Sequence, residues 1–187
     1  LNELVPAFKI ASGDNDFFPL IDKVLETEKP ILLSTGLIDY TETKSLAIRI
    51  YEHWKHLDKV PGLSLMHCVS CYPADQSEAN LACIKELAKI CDVPGYSDHT
   101  MGIEVAQLAV AAGARVVEKH FTKDKEYSDF RDHKLSADPR DLRKLADQIS
   151  SLNKILGNNK KQPTINEQDN IIAHRRSIVA KIKLNEG

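Results

Sequence analysis

Apolar and polar positions along the chain follow two different periods in turn. Five short runs rich in large apolar residues read as strands: AFKIAS from residue 7, PILLSTG from 30, LSLMHC from 63, VPGYSDHT from 93 and ARVVEKHFT from 114. Between and after them lie segments in which apolar residues recur at three- and four-residue spacings. These predict helices over Phe18–Glu28, Thr41–Trp54, Ser77–Cys91, Gly102–Ala112 and Asp138–Leu156. In the last of these, Leu142, Leu145, Ile149, Leu152 and Ile155 form one buried face, Asp138-Pro139 reads as an N-cap followed by a first-turn proline, and Gly157 is a C-terminal stop.

Regular alternation of strand and helix is the pattern of βα units around a parallel sheet. A unit of about 30 residues matches an eight-unit (β/α) barrel of about 250 residues. The expectation is therefore an α/β fold, a partial TIM barrel made of about its last five strand-helix units. A doubly wound open sheet competes, yet no glycine-rich dinucleotide fingerprint follows any strand. After Gly157 the composition turns to NNKKQPTINEQDN, a polar linker expected over 158–174. HRRSIVAKIKLNEG then resumes a β-like pattern, as if another domain opened at 175–187. The barrel portion is expected over 1–157.

The strand ends carry the chemistry. Ser12 and Asp14, Ser34 and Thr35, His67 with Ser70 and Tyr72, Ser97 with Asp98 and His99, and His120 with Thr122 all follow the apolar part of a strand. In a (β/α) barrel those ends share the face on which active sites lie. His99 and His120 close consecutive strands, an arrangement in which two imidazoles can reach one divalent ion and leave positions for water and substrate; the plainer reading is two hydrogen-bonded interior histidines. Lys9 sits inside an otherwise apolar strand, where a charge is unfavourable unless it is paired or used. Alternation puts Glu118 on the same side of its strand as His120, so Lys9 and Glu118 are both expected to point into the barrel, with Lys9 near an anionic substrate. Tyr72 is either a substrate-orienting hydroxyl or a packed loop anchor. Asp132 lies in the charged loop YSDFRDHKLS after the last strand, and is a candidate for holding sugar hydroxyls.

Composition narrows the field. Among 187 residues, 42% hydrophobic and 28% charged is an ordinary globular balance, and a net charge of -2 offers no general attraction to nucleic acid or anionic lipid. No apolar run would span a bilayer and no charged-then-apolar leader is visible, so no membrane association is expected and cytoplasmic residence is. Cys68-x-x-Cys71 matches half of a redox or zinc motif, but Cys83 and Cys91 do not make the second close pair. All four cysteines are read as structural.

At these residues the chain resembles the N-acetylneuraminate synthase (sialic acid synthase) family, which includes legionaminic and pseudaminic acid synthases and spore-coat polysaccharide synthases. FKIASGD, PILLSTG, LMHCVSCYP, GYSDHT, VVEKHFT, DHKLSADP and RRSIVAKIKLNEG carry the resemblance, in order and over nearly the whole chain. It implies a divalent-metal-dependent (Mn2+ or Mg2+) condensation of phosphoenolpyruvate with an N-acylated hexosamine, giving a nine-carbon 2-keto acid and phosphate. C3 of phosphoenolpyruvate would attack the polarised sugar aldehyde, and water would capture C2 before phosphate departs. By motif position, the resemblance makes His99 and His120 metal ligands, Lys9, Ser12, Ser70 and Ser97 phosphoenolpyruvate contacts, and Asp14, Tyr72 and Asp132 sugar contacts. Ser70 stands where some relatives have asparagine, and Asp14 where they have glutamate. The resemblance further implies a C-terminal antifreeze-like (SAF) domain, of which 175–187 would be the start, and a homodimer of the full-length protein. Little or no turnover is expected of these 187 residues alone. Two other readings stay open, a phosphate-binding barrel aldolase or 3-deoxy-sugar-acid phosphate synthase, and a non-catalytic metal- or sugar-binding remnant.

Overall fold

The computed structural model describes residues 3–186. Leu1, Asn2 and Gly187, which end the expected segments 1–157 and 175–187, lie outside the described residues. Five strands, β1 (Phe8–Ile10), β2 (Ile31–Ser34), β3 (Leu63–Cys68), β4 (Val93–Asp98) and β5 (Val116–Lys119), form one sheet in the order β1-β2-β3-β4-β5. Every pairing is parallel. Parallel neighbours that follow one another in sequence need a crossover, and helices supply it: α1 (Phe18–Leu25), α2 (Tyr40–Trp54), α3 (Cys83–Leu87) and α4 (Glu104–Ala112). Beyond β5 come a short α5 (Arg131–Leu135) and the long α6 (Pro139–Leu156).

Local sequence accounts for the elements. Asp39 and Glu42 form a reciprocal capping box at the start of α2, each carboxylate accepting from the other's backbone N–H at 2.8 Å. Thr43, Leu46, Ala47, Ile50 and Trp54 then fall on one buried face. α4 stops at Gly113, whose φ of 117° suits a residue without a Cβ. The helix expected from Ser77 shortens to Cys83–Leu87: a 3-10 turn occupies Gln76–Glu78, and Asn80 takes a left-handed φ of 41° that interrupts the helical path.

Alternation along the strands divides the two sheet faces. Ile10, Ile31, Leu33, Leu63 and Leu65 pack against the helices around the fully buried Trp54. The opposite face carries Lys9, Leu32, Ser34, Met66, Ser97 and Glu118. That face is concave. Four strand spacings of about 4.8 Å would hold the outermost strands of a flat sheet about 19 Å apart, yet Lys9 Nζ on β1 lies 3.4 Å from Glu118 Oε2 on β5. The sheet is thus curled into half a barrel. Its interior is close-packed at β4, where a Cβ on Gly95 would lie 2.9 Å from Met66 Cγ and 3.1 Å from the Val116 carbonyl.

Residues 156–187 form a separate small unit. The expected linker contains a 3-10 turn at Ile165–Glu167 and the helix α7 (Gln168–His174). The β character expected from residue 175 onward is absent among the described residues: 175–186 form neither strand nor helix, and Ile178, Val179, Ile182 and Leu184 are exposed. A strand has no independent stability without a partner to pair with.

Candidate functional site

The C-terminal ends of the strands gather polar side chains in three connected groups. The deepest lies on the concave face. Lys9 Nζ donates to Ser34 Oγ at 2.9 Å and to the Ile10 carbonyl at 3.1 Å, besides its ion pair with Glu118. Glu118 Oε1 accepts from Ser97 Oγ at 2.8 Å. Four residues from four strands thereby form one chain of contacts, Ser34–Lys9–Glu118–Ser97, whose two charged side chains are 30% and 41% exposed. The inward direction expected of Lys9 and Glu118 is the one observed.

The second group joins the ends of β1, β2 and β3. Ser12 Oγ accepts from the Gly36 N–H at 3.1 Å. Gly36 must lack a side chain for this approach: a Cβ there would sit 2.8 Å from Ser12 Oγ and 3.2 Å from the Cys68 carbonyl, and would collide with Ser70 Oγ. Buried Asn15 fastens the turn from beneath, donating through Nδ2 to the carbonyls of Gly36 at 2.9 Å and Ser34 at 3.3 Å. Cys68 Sγ lies 3.8 Å from Ser70 Oγ and 3.8 Å from His99 Nδ1, so it connects this group to the third. Burial alone would push the Cys68 thiol up, but hydrogen bonds with His99, Ser12 and Ser70 outweigh it and bring the thiol below its ordinary value.

The third group stands at the ends of β4 and β5. The rings of His99 and His120 are 5.3 Å apart between centroids, and the Tyr72 ring lies 4.1 Å from the first and 5.8 Å from the second. His99 Nδ1 bonds to the Val69 carbonyl at 2.8 Å; the carbonyl can only accept, so Nδ1 carries the hydrogen, and in the neutral ring Nε2 presents its lone pair. Burial disfavours the imidazolium of His99, yet its bonds to Cys68 and the Val69 carbonyl raise it above its ordinary value. His120 is held below its ordinary value, by burial first and then by neighbouring His99, against the opposing carboxylates of Asp132 and Glu118. A neutral imidazole is the ligating form.

These two side chains fit a shared divalent ion. A ring nitrogen about 2 Å from a metal places the ring centre roughly 3 Å away, and centroids 5.3 Å apart then subtend an angle nearer the tetrahedral value than a right angle. Among the described residues no group of three or more His, Cys, Asp or Glu side chains is placed to hold an ion, so the pair would contribute two ligands and leave the remaining positions open.

The loop after β5 folds back on its strand. Thr122 N–H donates to the Ala137 carbonyl at 3.0 Å, and Ala137 N–H to the His120 carbonyl at 2.7 Å. The return carries α5, and Asp132 on it comes within 4.0 Å of His120 Nδ1. His133, one residue on, bonds Thr122 Oγ1 at 3.0 Å.

Not every residue expected at the site reaches it. Asp14 is exposed on the 3-10 turn after β1, and its carboxylate takes part in none of these contacts. The Thr35 hydroxyl donates to the Met66 carbonyl at 3.1 Å, which fastens β2 to β3. His67 and Asp98 have the opposite parity to Met66 and Ser97 and face the helices. His67 Nε2 pairs with the Ala79 carbonyl at 2.9 Å, and Asp98 pairs with Lys119 at 2.9 Å. Asn15, Cys68 and Lys119 are parts of the arrangement that sequence reasoning missed. Asn15 stood close to Ser12-Gly13, which was a usable hint, and a lysine inside a strand was another.

The family model described as the NeuB family matches residues 1–161. The N,N'-diacetyllegionaminic acid synthase of Campylobacter jejuni is 41% identical over 100% of this chain and 55% of its own length. The human N-acetylneuraminate-9-phosphate synthase is 35% identical over 100% of this chain and 51% of its own. The chain thus spans about half the length of these curated relatives. Among solved structures, the N-acetylneuraminic acid (sialic acid) synthetase of Leptospira borgpetersenii, determined in complex with citrate, superposes with a TM-score of 0.83 at 36% identity, covering 91% of this chain and 57% of that one.

Proposed function

The chain belongs to the NeuB family, and on that premise we propose that it supplies most of the active-site face of a sialic acid synthase-type enzyme, a C–C bond-forming transferase. The reaction joins phosphoenolpyruvate to an N-acylated hexosamine such as N-acetylmannosamine and gives a nonulosonic acid and phosphate, for surface polysaccharide or related biosynthesis. The five units are the latter part of an eight-unit TIM barrel, followed by the start of an antifreeze-like domain in a cytoplasmic homodimer. The observation that carries this reading is the joining of two unlike sites at the strand ends: a lysine with hydroxyls suited to an anion, and two imidazoles with a phenol beside them.

The residues divide the work by chemistry. Lys9 Nζ, Ser34 Oγ and Ser97 Oγ offer donors to the phosphate and carboxylate of phosphoenolpyruvate, with Ser12 and Ser70 at the mouth. Glu118 holds Lys9 and Ser97 in position until the substrate anion arrives. His99 and His120 would hold Mn2+ or Mg2+, whose Lewis acidity toward the sugar carbonyl is the chemistry it supplies when bound. Tyr72 and Asp132 flank the imidazoles and would orient the open-chain sugar, with Asp14 at the rim of the same face.

Phosphate release by the intact protein carrying this chain tests the reading. With phosphoenolpyruvate, Mn2+ and N-acetylmannosamine, turnover is expected that disappears when the sugar is omitted or the metal is chelated. Phosphate release that is indifferent to the sugar would rule it out.

A further inference from the structure

Directly behind the two imidazoles, on the helix-facing side of the sheet, lies a buried ion pair. Asp98 and Lys119 are register partners in the β4–β5 pairing, and their side chains are 0% and 4% exposed, with Oδ2 and Nζ 2.9 Å apart. Each immediately precedes one of the histidines, and alternation sends the pair outward where it sends His99 and His120 inward. Asp98 Oδ1 also accepts from the Thr100 N–H at 2.9 Å and from Thr100 Oγ1 at 2.8 Å, while Lys119 Nζ donates to the Thr100 carbonyl. His99 is therefore bracketed, since the residues before and after it are tied to one another and both are tied to the residue before His120.

A buried ion pair gives little net stability, because desolvation offsets most of the attraction; its best-attested use is to fix one geometry. Its bonds here converge on two strand ends whose spacing decides where the imidazoles stand. We infer that Asp98 and Lys119 are positioning residues, a clamp that sets the separation of His99 and His120 for a shared divalent ion. Neither side chain reaches the concave face, so neither touches substrate or ion. The inference rests on the reading of the histidines as a metal pair.

Manganese affinity, measured by calorimetry on the intact protein, tests it. Lys119→Met alone leaves a buried carboxylate without its cation and can unfold the protein, so the deciding variant is Asp98→Asn with Lys119→Met, which removes both charges at nearly constant volume. The double variant is expected to keep a thermal midpoint near that of the unsubstituted protein, to bind Mn2+ about tenfold more weakly, at the lower end of outer-sphere effects, and to show an altered visible spectrum with Co2+. Loss of midpoint with affinity and spectrum unchanged would mean that the pair only stabilises the fold, and so would overturn the clamp alone. Failure of the unsubstituted protein to bind Mn2+ would overturn the metal reading and the clamp with it.

Discussion

At the residue scale, Lys9 makes the first prediction. An ammonium among apolar neighbours on β1 is tolerated because Ser34, the Ile10 carbonyl and Glu118 surround it, and it remains accessible enough to meet an anion. A hydrogen bond to a charged group contributes about 1.5–3 kcal/mol, so Lys9→Met in the intact protein should weaken phosphoenolpyruvate binding roughly ten- to a hundredfold. Titration by fluorescence or calorimetry checks this, and unchanged affinity would remove Lys9 from the anion site. His67 makes a different prediction. Burial holds its imidazole below the ordinary histidine value, against the favourable Ala79 carbonyl. The unfolded chain therefore binds this proton at a higher pH than the folded one. Its contribution to stability is complete above the unfolded value of about 6.5 and declines as pH falls from there through the lowered folded value. His67→Gln should show a shallower fall in thermal midpoint between neutral and mildly acidic pH; parallel curves for the two proteins would contradict the assignment.

At the scale of elements, the capping box is a self-contained test. Asp39→Ala removes one half of the reciprocal pair at the start of α2, and should lower stability by about 1 kcal/mol, visible as a shifted urea midpoint with an unchanged slope. The strands and the inward face of α2 were legible because each has a single period over several residues; Leu46, Ile50 and Trp54 need no tertiary information to be assigned inward. The stripe expected to be buried on α6 is not: only Leu145 is buried, while Leu142 and Ile155 are exposed, because a helical period shows which residues share a face and not how much of that face a neighbour covers. α5 and α7 were hidden for the same reason in reverse. RDHKL and QDNIIAH are too short and too polar to show an apolar stripe, and α5 forms where the loop folds back beside β5. Parity decided which strand-end residues face the concave side. Lys9, Ser97, His99, Glu118 and His120 lie on the inward register. His67 and Asp98 were grouped with them by proximity in sequence, although alternation already assigned them to the other face. The contact between Asp98 and Lys119 could not be read, because it depends on the register between two strands whose residues lie 21 positions apart.

For the molecule as a whole, curvature is the decisive property. Among the described residues β1 and β5 each pair on one side only, and the concave face between them is open. The 187 residues purified by themselves are expected to give little or no phosphate release with phosphoenolpyruvate, Mn2+ and N-acetylmannosamine, and a longer protein carrying them is expected to turn over; equal rates per mole would show that the half-barrel is sufficient. No helix among the described residues is long and apolar enough to cross a membrane.

Gly36 has a bearing on how such a site changes over time. Three loops meet at a point where there is space for a hydrogen and nothing more, and a methyl group there would swing the hydroxyls of Ser12 and Ser70 out of their present places. Positions 12, 36 and 70 are consequently one unit of variation. Related sequences with a larger residue at 36 should carry compensating changes at 12 or 70, and a mutant library that reaches this junction will find its viable members by diversifying the three together.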